Sequence, residues 1–390
     1  MPKKKRVTII SRESNEKTLD IAMLEAELKR RGADVTVLSK LLTKERSLKA
    51  LGYLGHMIRQ EAEILRSDVV VLDTYCIPAS MLPHRKGTKV IQMWHALSAM
   101  KRFGWQTVGL EGGSSPKVAR LMRMHHGYDY VISPSDITAE HFAEAFRVGR
   151  DRIAKQGLPR IDYIKSVSPG ERQPDAARRI LARYPQLKQK PAPEDDRKGD
   201  GSGAAGKKLV LYAPTFRMGK SVDVQNLIGF LDPEKFELVV KLHPLYRNNG
   251  TDSSELGKVS GCSGTVIYDE EFSSYDWLSV CDMIISDYSS FVVESTLADK
   301  PLYIFAYDMD EYSRSTGLNV DYMREPVAPY VFGDAAALGK ALDAACEAER
   351  SGSSEGAYDM SRLRAFRDRY IDIDTDDCTG RLADFVLSLA

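Results

Sequence analysis

The chain has 390 residues, enough for two domains that each bury a core of their own. Its 55 basic and 55 acidic residues cancel, so no whole-chain field directs it to nucleic acid. Five cysteines, an odd number with no CxxC pair, support neither a zinc site nor a disulfide framework, and point to a reducing cytoplasm.

The start, MPKKKRVTII, carries a basic run leading directly into a predicted strand, Val7–Ile10. That leaves little room for an accessible import peptide. Attraction to an anionic membrane surface through Lys3, Lys4, Lys5 and Arg6 is the functional expectation, with a solvated terminus as the plain one. No apolar run reaches the roughly eighteen residues a membrane-spanning helix needs, and no signal-peptide core is visible. An amphipathic helix over Glu16–Arg31 ends at Gly32, and Val35–Leu38 is a second strand. SLKALGYLGHMIRQEAEILRS reads as a helix whose apolar face, around Leu51–Ile64, joins the basic terminus as a candidate membrane contact. DVVVLDTY, KVIQMWH and YDYVISPS are strands, and DITAEHFAEAF is a helix starting after Ser135. This is the βαβ rhythm of a parallel sheet covered on both faces.

Residues 175–190 predict a helix, followed at about 191–208 by a Pro-, Gly- and Asp-rich stretch that reads as a linker or surface insertion. The rhythm restarts with LVLYAPTF and continues through FELVVKLHP, TVIYD, MIISDYSS and PLYIF. Helices are expected at about 334–350, 358–370 and 376–389. The predicted architecture is α/β, with two Rossmann-like domains facing a cleft: 1–175, then 176–208 as helix and linker, then 209–370. A final helix in 371–390 is expected to pack back toward the N-terminal domain.

In such sheets ligands bind beyond the carboxyl ends of the strands. The residues found there are His95, with Lys101 and Arg102 two turns on; Thr215 and Arg217; His243, followed by Pro244; and Asp287, Ser289 and Ser290. In MIISDYSSFVVESTLADKPLYIF the serines stand where an N-cap belongs, before a helix over Phe291–Leu297, with Pro301 breaking the chain before the next strand. The first N–H groups of such a helix are unpaired and its dipole end is positive, so Asp287, Ser289 and Ser290 form a polar cup suited to an anion, with Glu294 one turn on. No P-loop, GxSxG or HExxH pattern occurs, and no acidic cluster marks a metal site. The remaining histidines read as structural or exposed; neighbours such as His125 and His126 do not share a helix face.

VIQMWHALSAMKRFG, QGLPRIDY, VLYAPTFR, VVKLHP and IISDYSSFVVESTLADKPLYIFAYDMDEY occur in this order. Together they resemble the CDP-glycerol glycerophosphotransferases of teichoic acid synthesis, over roughly residues 60–390. Each motif alone is unspecific; five in this order are specific. The WHA…KRFG wording resembles the priming enzyme of wall teichoic acid more than the polymerases, which more often carry WHGT.

The resemblance implies a glycosyltransferase-B-like fold. It implies transfer of glycerol phosphate from CDP-glycerol to a hydroxyl of an undecaprenyl-diphosphate-linked disaccharide (ManNAc-GlcNAc), with CMP leaving, by a cytoplasmic protein peripheral to the membrane. CDP-glycerol is then a substrate, and no metal or other cofactor is expected. By motif, His95 matches the proposed general base and His243 the second essential histidine. Ser289 and Ser290 match the serines at the donor phosphates. Thr215, Arg217, Asp287 and Lys101 are expected to help bind substrate, and Glu294 to take ribose hydroxyls or else face solvent.

Three departures stand out. Met218 follows the arginine where the family often has an acidic residue, the 191–208 stretch looks long, and the membrane-seeking N-terminal segment of some relatives is not seen. A glycerol- or ribitol-phosphate polymerase of the same family, a nucleotide-sugar glycosyltransferase or epimerase of the same fold, and an inactive nucleotide-binding scaffold are the alternatives left open.

Overall fold

The computed structural model describes residues 4–42, 48–110, 113–168, 174–189, 206–215, 217, 224–242 and 266–390. They form two compact units. The first is Met1–Tyr163 with Glu311–Val320 and Asp368–Ala390; the second is Ile164–Asp310 with Asp321–Arg367.

The first unit is built on six parallel strands: β1 (Arg6–Ser11), β2 (Asp34–Ser39), β3 (Val69–Leu72), β4 (Lys89–Gln92), β5 (Tyr130–Ser133) and β6 (Ile153–Lys155), in the order β2-β1-β3-β4-β5-β6. Every residue of β3 is buried, as a central strand covered on both faces requires. The chain leaves β1 toward β2 and returns to the other side of β1 as β3, so the strand order reverses between β1 and β3. The helix Leu19–Arg30 begins three residues later than its pattern suggested, and Gly32 at φ +85° turns the chain out of it. Asp20, in its first turn, receives the Arg160 backbone N–H and guanidinium at 2.8 Å in a buried pair. Ser135 caps the helix Asp136–Phe146 by accepting from Thr138 N at 3.1 Å. The last helix, Cys378–Ser388, packs on Leu19–Arg30, and Asp162 accepts from its first N–H groups, Cys378 N at 2.9 Å and Thr379 N at 2.7 Å. Residues 311–320 belong here because Lys101 bridges Leu318, Arg102 N donates to Gly317 O, and the Gln106 and Asn319 amides pair.

The second unit repeats the plan with β7 (Lys208–Tyr212), β8 (Phe236–Val240), β9 (Val266–Tyr268), β10 (Met283–Ser286), β11 (Leu302–Phe305) and β12 (Val331–Phe332), all parallel, in the order β12-β11-β10-β7-β8-β9. Its reversal falls between β7 and β10. The helix Ala335–Ser351, capped by Asp334 and closed by Gly352 at φ +67°, places Leu338 and Leu342 in one core cluster with Tyr212, Ile285 and Phe305. Each such leucine contributes about 1.5–3 kcal/mol by burial.

Some elements differ from their sequence pattern. The short strands β6 and β12 and the helices Ile77–Met81 and Arg160–Val167 carry too few residues to show a period. The helix predicted for 175–190 stops at Arg183, and a 3-10 turn takes over at Pro185, whose ring cannot continue an α-helix. The helix after the serines is α-helical only over Phe291–Glu294. It tightens to 3-10 over Ser295–Ala298 and ends at Asp299, φ +54°. The stretch 191–205 lies outside the described residues.

Candidate active-site residues in the two units

In the first unit the chemistry gathers at the carboxyl ends of β1, β3 and β4, where the strand order reverses. After β4, Trp94 takes a left-handed turn at φ +62°, a conformation costing a bulky residue about 1–3 kcal/mol and kept only where its surroundings hold it. The holding contacts are visible. Trp94 N donates to Gln92 Oε1 at 2.9 Å, and its ring stacks on Phe103, centroids 4.6 Å apart. The turn delivers His95, whose ring lies against Trp94 at 4.0 Å. His95 Nδ1 is 3.0 Å from the backbone oxygen of Asp73, the residue after β3. A carbonyl only accepts, so Nδ1 carries the proton and the lone pair of the neutral ring is on Nε2. The side chain is about one-third exposed, at 36%. Glu13, in the loop after β1, brings Oε1 to 3.8 Å from the same Nδ1.

Beside this ring lies Asp73. Its carboxyl is buried, and neither oxygen makes a hydrogen bond of ordinary length. Burial pushes it up to about 7; Ser11 and Thr74 offset this only in part, and the Glu13 charge adds to it. Lys101 is half-buried in the same unit, its carbonyl accepting from Asn319 Nδ2 at 3.2 Å. His125 is a core residue: it packs on Phe146 and Trp94, its Nδ1 is 2.9 Å from the Tyr128 hydroxyl, and burial pushes it down to about 3.

The second unit brings Thr215, Arg217, Asp287, Ser289, Ser290 and Glu294 to the β7/β10 reversal, while His243 lies outside the described residues. Asp287 is the hub and is fully buried. It accepts from Thr215 N at 2.9 and 3.0 Å, from Tyr288 N at 2.6 Å and from Arg217 NH1 at 2.8 Å. Arg217 turns its other edge to Asp308, after β11, in a two-pronged pair at 2.7 and 2.9 Å. The Tyr288 hydroxyl donates to the same carboxylate at 3.0 Å. Burial works against the Arg217 charge, but Asp308 and Asp287 raise its pKa well above the usual range. Burial likewise works against the Asp308 carboxylate, and Arg217 holds it below its usual range.

The arrangement bears on two of the expected residues. Arg217 is a buried cation paired with the carboxylates of Asp287 and Asp308. Glu294 does not face solvent: it is buried and accepts from the Tyr275 hydroxyl at 2.6 Å. Ser289 and Ser290 are half-buried, Ser289 Oγ accepting from Phe291 N at 3.2 Å, while Ser290 makes no side-chain cap. Sequence reasoning missed Glu13, Asp73, Tyr288 and Asp308. The strand-end rule applied to β1, β3 and β11, as it was to β4, β7, β8 and β10, would have found Glu13, Asp73 and Asp308.

Two Rossmann-like units, each with its polar residues at the reversal of a parallel sheet, define an α/β protein of the glycosyltransferase-B-like class. The chain belongs to the CDP-Glycerol:Poly(glycerophosphate) glycerophosphotransferase family, whose model matches residues 1–192 and 196–388. Among curated relatives it is 27% identical to the teichoic acid ribitol-phosphate primase of Bacillus spizizenii (strain ATCC 23059 / NRRL B-14472 / W23), over 86% of this chain and 79% of that protein. It is 28% identical to the teichoic acid glycerol-phosphate primase of Bacillus subtilis (strain 168), over 69% of this chain but only 63% of that protein. Among solved structures, the wall teichoic acid polymerase TagF matches with a TM-score of 0.65 at 19% identity, over 98% of this chain and 88% of that one. UDP-GlcNAc 2-epimerase from Neisseria meningitidis matches at 0.58 and 12%, over 98% and 100%. At these identities the structural likeness speaks for the fold. Among the described residues no helix is long and apolar enough to cross a membrane.

Proposed function

We propose that this protein transfers glycerol phosphate from CDP-glycerol to a hydroxyl of an undecaprenyl-diphosphate-linked disaccharide, releasing CMP, and adds one unit per acceptor. The observation that carries the reading is His95: a partly exposed imidazole at a strand end, with Nδ1–H committed to the Asp73 carbonyl and Nε2 therefore the basic atom. The acceptor hydroxyl gives its proton to Nε2 as its oxygen bonds to the β-phosphorus of the donor. The bond from that phosphorus to the bridging oxygen breaks, and CMP leaves with the electron pair. Charge on the phosphoryl oxygens is met by hydrogen-bond donors of the second unit, Ser289, Ser290 and backbone N–H groups after β10, and by His243 in its protonated form. Lys101 and Thr215 are assigned to substrate contact and Glu294, with Tyr275, to shaping the nucleoside end. The reading asks for no metal ion or other cofactor.

Membrane approach follows from the lipid acceptor. Leu54 and Ile58 of the helix Leu48–Ile64 are exposed and supply the apolar part of the contact. Of the basic residues, Lys5 and Arg6 are engaged locally, Lys5 with Leu387 O at 2.5 Å and Arg6 with Asp34 at 3.0 Å. Lys4 is the exposed basic neighbour, and Lys3 lies outside the described residues.

The test is turnover with a short-chain lipid-diphosphate disaccharide and excess CDP-glycerol, read by mass spectrometry. A single addition of about 154 Da, the neutral glycerol-phosphate unit, is expected. A ladder sinks the priming claim, and no CMP release sinks the enzyme claim. His95→Ala should lower turnover by about 10²–10⁴-fold while CDP-glycerol still binds. One finding favours a second reading, transfer of ribitol phosphate: the ribitol-phosphate primase is matched over more of this chain than the glycerol-phosphate primase. CDP-ribitol offered in competition with CDP-glycerol separates the two by product mass.

A further inference from the structure

We propose that Glu13 is the positioning residue of His95: its carboxylate pairs with the imidazolium that forms when the ring takes the acceptor's proton. This rests on His95 being the base. Glu13 follows β1 and His95 follows β4, and the two meet at the strand ends beside the β1/β3 reversal. Among the described residues, two oxygens lie near Nδ1. The Asp73 carbonyl at 3.0 Å is a hydrogen-bond acceptor for the neutral ring; Glu13 Oε1 at 3.8 Å is too far for a hydrogen bond and close enough for an ion pair. The carbonyl thus fixes the tautomer in the resting state. The carboxylate gains attraction only as the ring becomes charged, which makes its contribution larger in the transition state than in the ground state.

Other charged groups of the first unit include Arg12, Asp20, Lys101 and Arg102. Arg12 lies over the Tyr75 ring at 5.1 Å, and Asp20 is tied to Arg160 in the buried pair. Arg102 and Lys101 belong to the same loop as His95, held through their backbones by Gly317 and Asn319. His125, beyond Trp94, is neutral in its aromatic surroundings. The Asp73 carboxyl is pushed up to about 7 by burial, and Asp73 meets the ring through its backbone oxygen, whereas Glu13 brings a carboxylate oxygen to 3.8 Å. The Glu13 side chain is 42% exposed, so water weakens its pull, which sets the scale of the effect.

The experiment is a ¹H–¹³C NMR titration of the His95 Cε1–H resonance in the full chain, assigned by its loss in His95→Gln, with the pH profile of kcat/KM alongside. Glu13→Gln should lower the His95 pKa by about 0.5–1 unit, and this difference should shrink in 1 M salt. The acid limb of the profile should move to lower pH by the same amount. The plateau should fall about 3–10-fold, the loss of attraction to the imidazolium expressed as rate, while KM for CDP-glycerol holds. A glutamate that merely shapes its loop would lower the plateau and leave the resonance and the limb where they are. An unmoved His95 titration in Glu13→Gln, with His95→Ala inactive, overturns this proposal and leaves the base assignment standing. A fully active His95→Ala removes the base assignment, and with it the catalytic role given to Glu13.

Discussion

Asp287→Asn should destabilise the second unit strongly, because the carboxylate is fully buried and serves three neighbours at once. Replacing it with an amide removes the charge facing Arg217 and turns an NH₂ group toward donors. Removing one partner of a buried ion pair typically costs about 3–5 kcal/mol. Arg217 keeps its two-pronged pair with Asp308, so the lower end applies, about 3 kcal/mol. For a unit of this size that corresponds to a fall in Tm of roughly 6–12 °C. Thermal unfolding of the full chain should show the shift. Hydrogen exchange should locate it, with protection lost in β7 and β10 and retained in the strands of the first unit. A cycle with Arg217→Met should give a coupling of about 1–3 kcal/mol between the two positions. An Asp287→Asn protein that unfolds within about 2 °C of wild type, or whose lost protection lies elsewhere, refutes the claim that this carboxylate organises the β7/β10 loops.

Asp73 has a folded-state value raised to about 7, so its favourable contribution is fully present below its unfolded value, near 3.9, and is lost as pH rises through about 7. Asp73→Asn should flatten the stability of the first unit between about pH 4 and 8, removing a loss of roughly 2–4 kcal/mol, and urea unfolding across that range checks it. Ser289→Ala combined with Ser290→Ala should weaken CDP-glycerol binding by about 1.5–3 kcal/mol for each charge-assisted hydrogen bond lost. Unchanged affinity by calorimetry would return these hydroxyls to local structure. Flotation with anionic liposomes should exceed that with neutral ones and fall when Leu54 and Ile58 are changed to Ser; equal flotation throughout would remove the proposed membrane surface.

The fold was legible because its strands are short, apolar and flanked by helical periods: β1, β3, β7, β10 and β11 all lie where their Val, Ile and Leu runs place them. What could not be read was pairing between side chains distant in sequence. Arg217 and Asp308 are 91 positions apart, and only the folded second unit shows that the arginine's charge is already matched. The solvent-facing alternative for Glu294 failed for the same reason, since its partner Tyr275 sits on a preceding helix. Glu13 and Asp73 were legible in principle. Both follow strands, but a carboxylate after a strand is commonplace, and its nearness to His95 follows only from the order in which β1, β3 and β4 lie side by side.

The neutralisation of Arg217 bears on how the second unit would hold a diphosphate. Among the described residues, one guanidinium faces the two carboxylates of Asp287 and Asp308. A dianionic donor held by Ser289 and Ser290 meets hydroxyls and N–H groups, which supply dipoles but no charge, so a cation is wanted. His243 is the cation the proposed mechanism provides. Donor binding should therefore weaken as pH rises through the imidazole range, near 6.5, by about tenfold if the protonated ring is worth about 1.4 kcal/mol to the donor. His243→Gln should bind CDP-glycerol with the weaker, high-pH affinity at every pH, whereas His95→Gln should leave the pH dependence of binding intact. Calorimetric titrations at pH 5.5, 6.5 and 8 decide it. A pH-independent affinity in the wild type would mean that the diphosphate is held without His243, and that its charge is balanced by a group other than those assigned here.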